Sequence, residues 1–172
     1  MRTVQLSLLY ICFACFEFCQ AQKNNRPNII YIMADDLGYA DLSCYGRKDY
    51  QTPNLDKLCS QGIKFLNAYA NAPVCTPTRV ALFTGRYPAR TEVGLHEPLD
   101  WIHKDSSVGL SADQPSLPSL LKKAGYETYL LGKWHLGFDK KYSPLKHGFD
   151  EFFGFNGGAI DYISHTDPFG NN

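Results

Sequence analysis

Twice in this chain a short helical segment closes on a glycine and gives way at once to an apolar strand pattern. The first instance covers residues 52–69. Thr52 is placed to cap, Pro53 to open the helix, Leu55 and Leu58 to share a face and Gly62 to close it, and residues 63–69 then read as a strand. In the second, residues 116–124 form the helix, Gly125 stops it and residues 126–131 form the strand. Upstream, Asn28-Ile29-Ile30-Tyr31-Ile32-Met33 is a continuous run rich in β-branched residues, the pattern of a strand buried on both faces of a parallel sheet. Downstream, residues 149–155 read as a further strand with aromatic packing. Helices alternating with strands in this way predict an α/β layered domain, with a mainly parallel or mixed sheet flanked by helices.

The remaining bounds are compositional. A chain of 172 residues with 44% apolar and 20% charged residues suits one globular domain, and a formal net charge of zero gives no reason to expect nucleic acid as partner. Residues 1–21 stand apart. Arg2 is followed by a mostly apolar run over 6–18, interrupted by Glu17, and Ala21 is a small residue suited to a cleavage point. This is the pattern of a secretory signal, too short for a stable membrane span. The folded part is therefore expected to begin at residue 22, in an exported protein: secreted, periplasmic or lysosomal. Cys12, Cys15 and Cys19 fall within the leader, so Cys44, Cys59 and Cys75 remain. Three is odd; Cys44 and Cys59 either pair or stay free, as their distance in the fold decides.

Chemistry-bearing residues gather at the ends of the expected strands. Asp35 and Asp36 follow the 28–33 run, where α/β domains place their sites, and two adjacent carboxylates call for a cation or basic group nearby. A solvated turn is the plain alternative. Pro73-Val74-Cys75-Thr76-Pro77-Thr78-Arg79 reads as a loop delivering Cys75 to just outside a helix N-terminus, with Thr76 as cap, Pro77 opening the helix and Gly85 ending it. Arg79, one turn on, can point at the same spot. Two readings of these residues stand: a buried cysteine beside a surface arginine, or a thiolate nucleophile favoured by the helix end. Lys133 and His135 lie just past the 126–131 strand, two apart, so an extended segment turns both the same way. Residues 87–113 are irregular, hold His96 and His103, and either carry short helices or border a cleft. Both histidines, like Asp56 and Lys57, read as packing or surface groups, and His165 is a candidate substrate contact near the chain's last residues.

Cys75-x-Pro77-x-Arg79 followed by Thr84-Gly85 resembles the sulfatase signature, and Gly125-Tyr126-x-Thr128-x-x-x-Gly132-Lys133-Trp134-His135 resembles that family's second one, in the family's order. Asp35-Asp36-Leu37-Gly38 after an apolar strand is similar to its metal-binding pattern. The resemblance runs from about residue 27 to about residue 158. It implies the alkaline-phosphatase-like fold and hydrolysis of sulfate esters. It implies further that a maturation enzyme converts Cys75 to formylglycine (3-oxoalanine), whose hydrate attacks sulfur. Asp35, Asp36 and the residue-75 side chain would hold a divalent cation, with oxygen ligands suiting Ca2+ or Mg2+. Arg79 and Lys133 would stabilise the sulfate oxygens, and His135 would take the proton that releases sulfate. The family's remaining ligands come from later in its sequence, so residues 22–172 are expected to be the N-terminal part of the catalytic domain. The substrate would be a sulfated small molecule or sulfated polysaccharide. Two alternatives accompany this expectation: a phosphonate monoester or phosphodiester hydrolase of the same superfamily, and a non-catalytic secreted binding protein on the same scaffold.

Overall fold

The computed structural model describes residues 26–99 and 107–166, so the apolar leader and His103 lie outside the described residues. The described residues fall into two units divided after Gly38. In the first unit residues 28–33 do not form the expected buried strand. They are irregular and open to solvent, Ile30 being 85% exposed. An apolar run becomes a buried strand only where neighbours complete its hydrogen-bond ladder and helices cover both faces. The described residues of this unit supply neither.

The described residues of the second unit form three α-helices, α1 (Pro53–Gln61), α2 (Cys75–Thr84) and α3 (Leu117–Lys123), and two strands, β1 (Tyr129–Lys133) and β2 (Glu151–Phe155). α1 opens at Pro53 as expected, but Thr52 does not cap it. Its hydroxyl instead donates to Asp56 Oδ1 at 2.9 Å and accepts from Ser43 N at 3.1 Å. Asp56, expected to be a solvated helix residue, ties α1 to the short turn Ser43–Tyr45. It accepts from the Ser43 hydroxyl and from Cys44 N, and these bonds, led by that of Ser43, hold its carboxyl below the usual range. Residues 63–69 do not form the expected strand, and Ile63 is 82% exposed. No described strand pairs with them. Cys44, Cys59 and Cys75 are all free thiols.

α3 begins with a reciprocal cap: Ser116 Oγ accepts from Ser119 N, and Ser119 Oγ accepts from Ser116 N at 3.0 Å. β1 starts later than the sequence suggests, because Thr128 is engaged by Asp150, which accepts from both its N–H and its hydroxyl. It also runs further, taking in Lys133. β1 and β2 pair in parallel with Tyr129 opposite Glu151 and Lys133 opposite Phe155. The register sets Gly132 against Gly154. Gly132 takes a φ of +101°, and a Cβ at Gly154 would lie 1.9 Å from the Gly132 carbonyl oxygen, so both positions need glycine.

The core joins α2 to the segment after β1. Val80 and Phe83 of α2 cluster with Val93, Leu99, Val108, Leu110, Trp134, Leu136 and Phe149. Phe83 and Phe149 meet edge to face with centroids 5.8 Å apart, and the Trp134 indole N–H donates to Tyr142 O at 2.8 Å. The irregular stretch after Tyr87 carries two short 3-10 turns, Pro88–Arg90 and Val93–Leu95, and sends Val93 and Leu99 into this core. Among the described residues no helix is long and apolar enough to cross a membrane.

Candidate active site

Cys75 is the first residue of α2, with extended Val74 before it, rather than lying outside the helix. It is half-buried at an end where free N–H groups and the helix dipole favour negative charge. Pro77 sits in the first turn, where its missing N–H costs nothing, and Gly85 closes the helix in the left-handed region at φ 65° with its N–H on Ala81 O. Thr76 does not cap. Its side chain turns inward, donating to His135 O at 3.1 Å and accepting from Leu99 N at 3.1 Å.

Arg79 is buried, 7% exposed, which corrects the reading of it as a surface residue. Its Nη1 donates to Lys133 O at 2.7 Å, so the guanidinium lies against the last residue of β1. Past β1 the ladder continues: Trp134 N donates to Phe155 O at 2.9 Å and His135 N to Asn156 O at 3.2 Å. The expected shared face of Lys133 and His135 does not follow, because extended alternation stops at His135, whose φ is 58°. His135 is buried, 1% exposed, and its Nε2 lies 2.9 Å from Leu99 O.

Two hydrogen bonds, from Arg79 to Lys133 and from Thr76 to His135, thus bind the helix that carries Cys75 to the carboxyl end of β1. His165 takes no part in them. It lies in an exposed turn, with its N–H on Asp161 O at 3.0 Å. His96 is half-buried, with its N–H on Val93 O. Asp35 and Asp36 belong to the first unit, both exposed, with Asp36 at φ 56°. Their donor chemistry, two accessible carboxylates, fits a hard cation such as Ca2+ or Mg2+ better than zinc. Sequence reasoning missed the parts of Thr76, Leu99 and Asn156. Two of these act through the main chain, which has no side-chain signature, and Thr76 carried a local signal that pointed to a cap instead.

In α/β domains of this kind ligands bind beyond the carboxyl ends of the strands, and here that end carries Lys133, with buried Arg79 against it. The family model described as Sulfatase matches residues 27–172, and the chain belongs to the sulfatase family. It is 44% identical over 148 residues to arylsulfatase H of Canis lupus familiaris, covering 80% of this chain and 26% of that protein. It is 45% identical over 163 residues to steryl-sulfatase of Homo sapiens, covering 91% of this chain and 28% of that protein. Among solved structures, Ps i-CgsB is similar with a TM-score of 0.73 and 44% identity over 81% of this chain and 30% of its own. A further structure of that protein, in complex with k-i-k-neocarrahexaose, is similar to the same degree, with a TM-score of 0.73, 43% identity and the same coverage of each chain. The fold is the alkaline-phosphatase-like α/β fold of the sulfatases. The chain spans between a quarter and a third of the length of these relatives.

Proposed function

We propose that the full-length protein is an exported enzyme that hydrolyses sulfate esters, that residues 1–21 are its signal peptide, and that residues 22–172 form the N-terminal part of its catalytic domain. The observation that carries this reading is the bonding of the Cys75 helix to the end of β1 through Arg79 and Thr76, which joins the two signature segments.

Residue 75 would be matured to formylglycine by a dedicated enzyme, and Asp35, Asp36 and residue 75 would hold Ca2+ or Mg2+. When present, the modified side chain supplies an activated hydroxyl and the cation acidifies it and offsets charge. The chain's own residues would do the rest. Arg79 directs Nη1 at Lys133 O, so its guanidinium stands at the end of β1, where its charge would act on a sulfate oxygen. Its burial keeps the cation in a poorly screening environment, where it acts more strongly on developing negative charge than a surface residue would. Lys133 would add a second cation beside it. His135 would accept the proton whose removal lets sulfate leave. The relatives include a steryl-sulfatase and a protein solved in complex with k-i-k-neocarrahexaose, which supports a sulfated small molecule or sulfated polysaccharide as the substrate class.

The test is to express the full-length protein with a maturation enzyme, assay an aryl sulfate, and read residue 75 by peptide mass spectrometry. An aldehyde at residue 75, turnover of the ester and loss of turnover in Cys75→Ala are expected. Active protein with an unmodified thiol would overturn the mechanism, and hydrolysis of an aryl phosphonate in preference to the sulfate would overturn the substrate class.

A further inference from the structure

Thr76, Leu99 and His135 close a ring of hydrogen bonds. The Thr76 hydroxyl donates to His135 O at 3.1 Å and accepts from Leu99 N at 3.1 Å. The third side is the 2.9 Å contact between His135 Nε2 and Leu99 O. A carbonyl oxygen can only accept, so the proton in that contact belongs to the imidazole. A neutral His135 therefore carries hydrogen on Nε2 and its lone pair on Nδ1. The ring is wholly internal: Thr76 and Leu99 are buried, and so is His135. Water does not compete for these bonds, and losing one would strand its partner. The backbone around the histidine is equally constrained. His135 takes a left-handed φ uncommon for a residue with a side chain, and its N–H is held by Asn156 O.

We infer that Thr76 is a positioning residue for His135, bridging the Cys75 helix to the histidine through Leu99 so that Nδ1 is the nitrogen that accepts the proton. Thr76 need not touch substrate to act. Its hydroxyl fixes Leu99, the Leu99 carbonyl fixes which ring nitrogen is protonated, and the bond to His135 O fixes where that ring stands relative to residue 75. That His135 accepts a proton in turnover rests on the sulfatase reading; the state of its ring does not.

The experiment uses full-length protein labelled with 15N-histidine, with the His135 signals assigned by their loss in His135→Gln. Nitrogen–proton correlation spectra should show a neutral His135 protonated at Nε2 in wild type and in Thr76→Ser, which keeps the hydroxyl. In Thr76→Val, nearly the same shape without the hydroxyl, the two tautomers should average. On an aryl sulfate, and per mole of aldehyde measured by peptide mass spectrometry, Thr76→Val should lower kcat roughly 10²-fold, the cost of misplacing a reacting group by about 1 Å, with KM little changed. Thr76→Ser should restore kcat. Wild-type protein without sulfatase activity would sink the reading of function but leave the spectra to decide the ring. A neutral His135 protonated at Nδ1 in wild type would overturn the positioning role, as would a Thr76→Val variant with unaltered tautomer and kcat. Should Thr76→Val not fold, the wild-type tautomer and the Thr76→Ser kinetics still decide.

Discussion

His147 is buried against Trp134, with ring centroids 5.2 Å apart, and this burial pushes its imidazole from the ordinary 6.5 down to about 4, against a smaller opposing influence of the Leu110 backbone. The folded protein thus resists a proton that the unfolded chain accepts. Above the ordinary value both states are neutral and the residue makes no difference. As the pH falls from there toward about 4, only the unfolded chain gains the proton, so stability declines across that window. The full-length protein should therefore melt at a lower temperature at about pH 5 than at pH 7, and His147→Phe, which keeps a ring against Trp134, should flatten that slope. Equal slopes in both proteins would remove His147 from the account. At Asp35 the expected outcome is different. The residue is exposed, so Asp35→Asn leaves packing intact but takes a charged ligand from the cation proposed there. Metal content by elemental analysis and aryl sulfate turnover should both drop sharply, while the melting temperature of metal-stripped protein stays unchanged. Metal content and turnover at the wild-type level in that variant would refute the assignment. Asp35 stands out in the sequence because it is paired with Asp36 just past an apolar run, whereas nothing in the sequence singled out His147. The companions of His135 were not legible either, since Leu99 contributes only its peptide group and the bonds that join the ring span 23, 36 and 59 residues.

The pairing of β1 with β2 is where a single methyl group has the most to say. A Cβ at Gly154 would meet the Gly132 carbonyl oxygen at 1.9 Å and its carbonyl carbon at 2.6 Å, both main-chain atoms that cannot swing aside. Gly154→Ala must therefore part the strands one residue before Lys133, whose carbonyl anchors Arg79. Unfolding in urea should show a loss of about 1–3 kcal/mol, the usual cost of forcing extra volume into a packed site, together with reduced turnover. Glu151→Ala, on the same strand but exposed, should change neither measurably. If Gly154→Ala matched wild type in both, the register would be wrong. Elements of this kind were readable from sequence in proportion to how local their causes are. Pro53 opening α1 and Gly85 closing α2 each act within one turn, and both stand where the sequence puts them, while Ser116, read as the first residue of the helix, is its cap. Residues 28–33 and 63–69 have strand composition, but a strand forms only with a partner that may lie anywhere in the chain. β2 was legible and formed because β1 lies beside it.

Among the described residues many large apolar side chains are uncovered. Within the first unit Ile29 to Ile32 are exposed; within the second so are Ile63, Phe65, Leu66 and Tyr69, and Phe153 of β2 is 82% exposed. Large exposed apolar surface on a protein marks something meant to cover it, and the relatives are roughly three times as long as this chain. The proposed cation site points the same way, since Asp35 and Asp36 would supply two carboxylates and Ca2+ takes about six to eight oxygens. Residues 22–172 produced alone, even after treatment with a maturation enzyme, should therefore bind a hydrophobic dye, unfold without a sharp transition, and hydrolyse no aryl sulfate. The full-length protein should exclude the dye, melt cooperatively and turn the ester over. The comparison is decisive because the two samples share every residue placed in the α2–β1 group and both exposed aspartates. If the short chain melted cooperatively and matched the full-length rate, the groups that complete the site would have to lie within these residues, and the proposal that residues 22–172 are only part of the catalytic domain would fail.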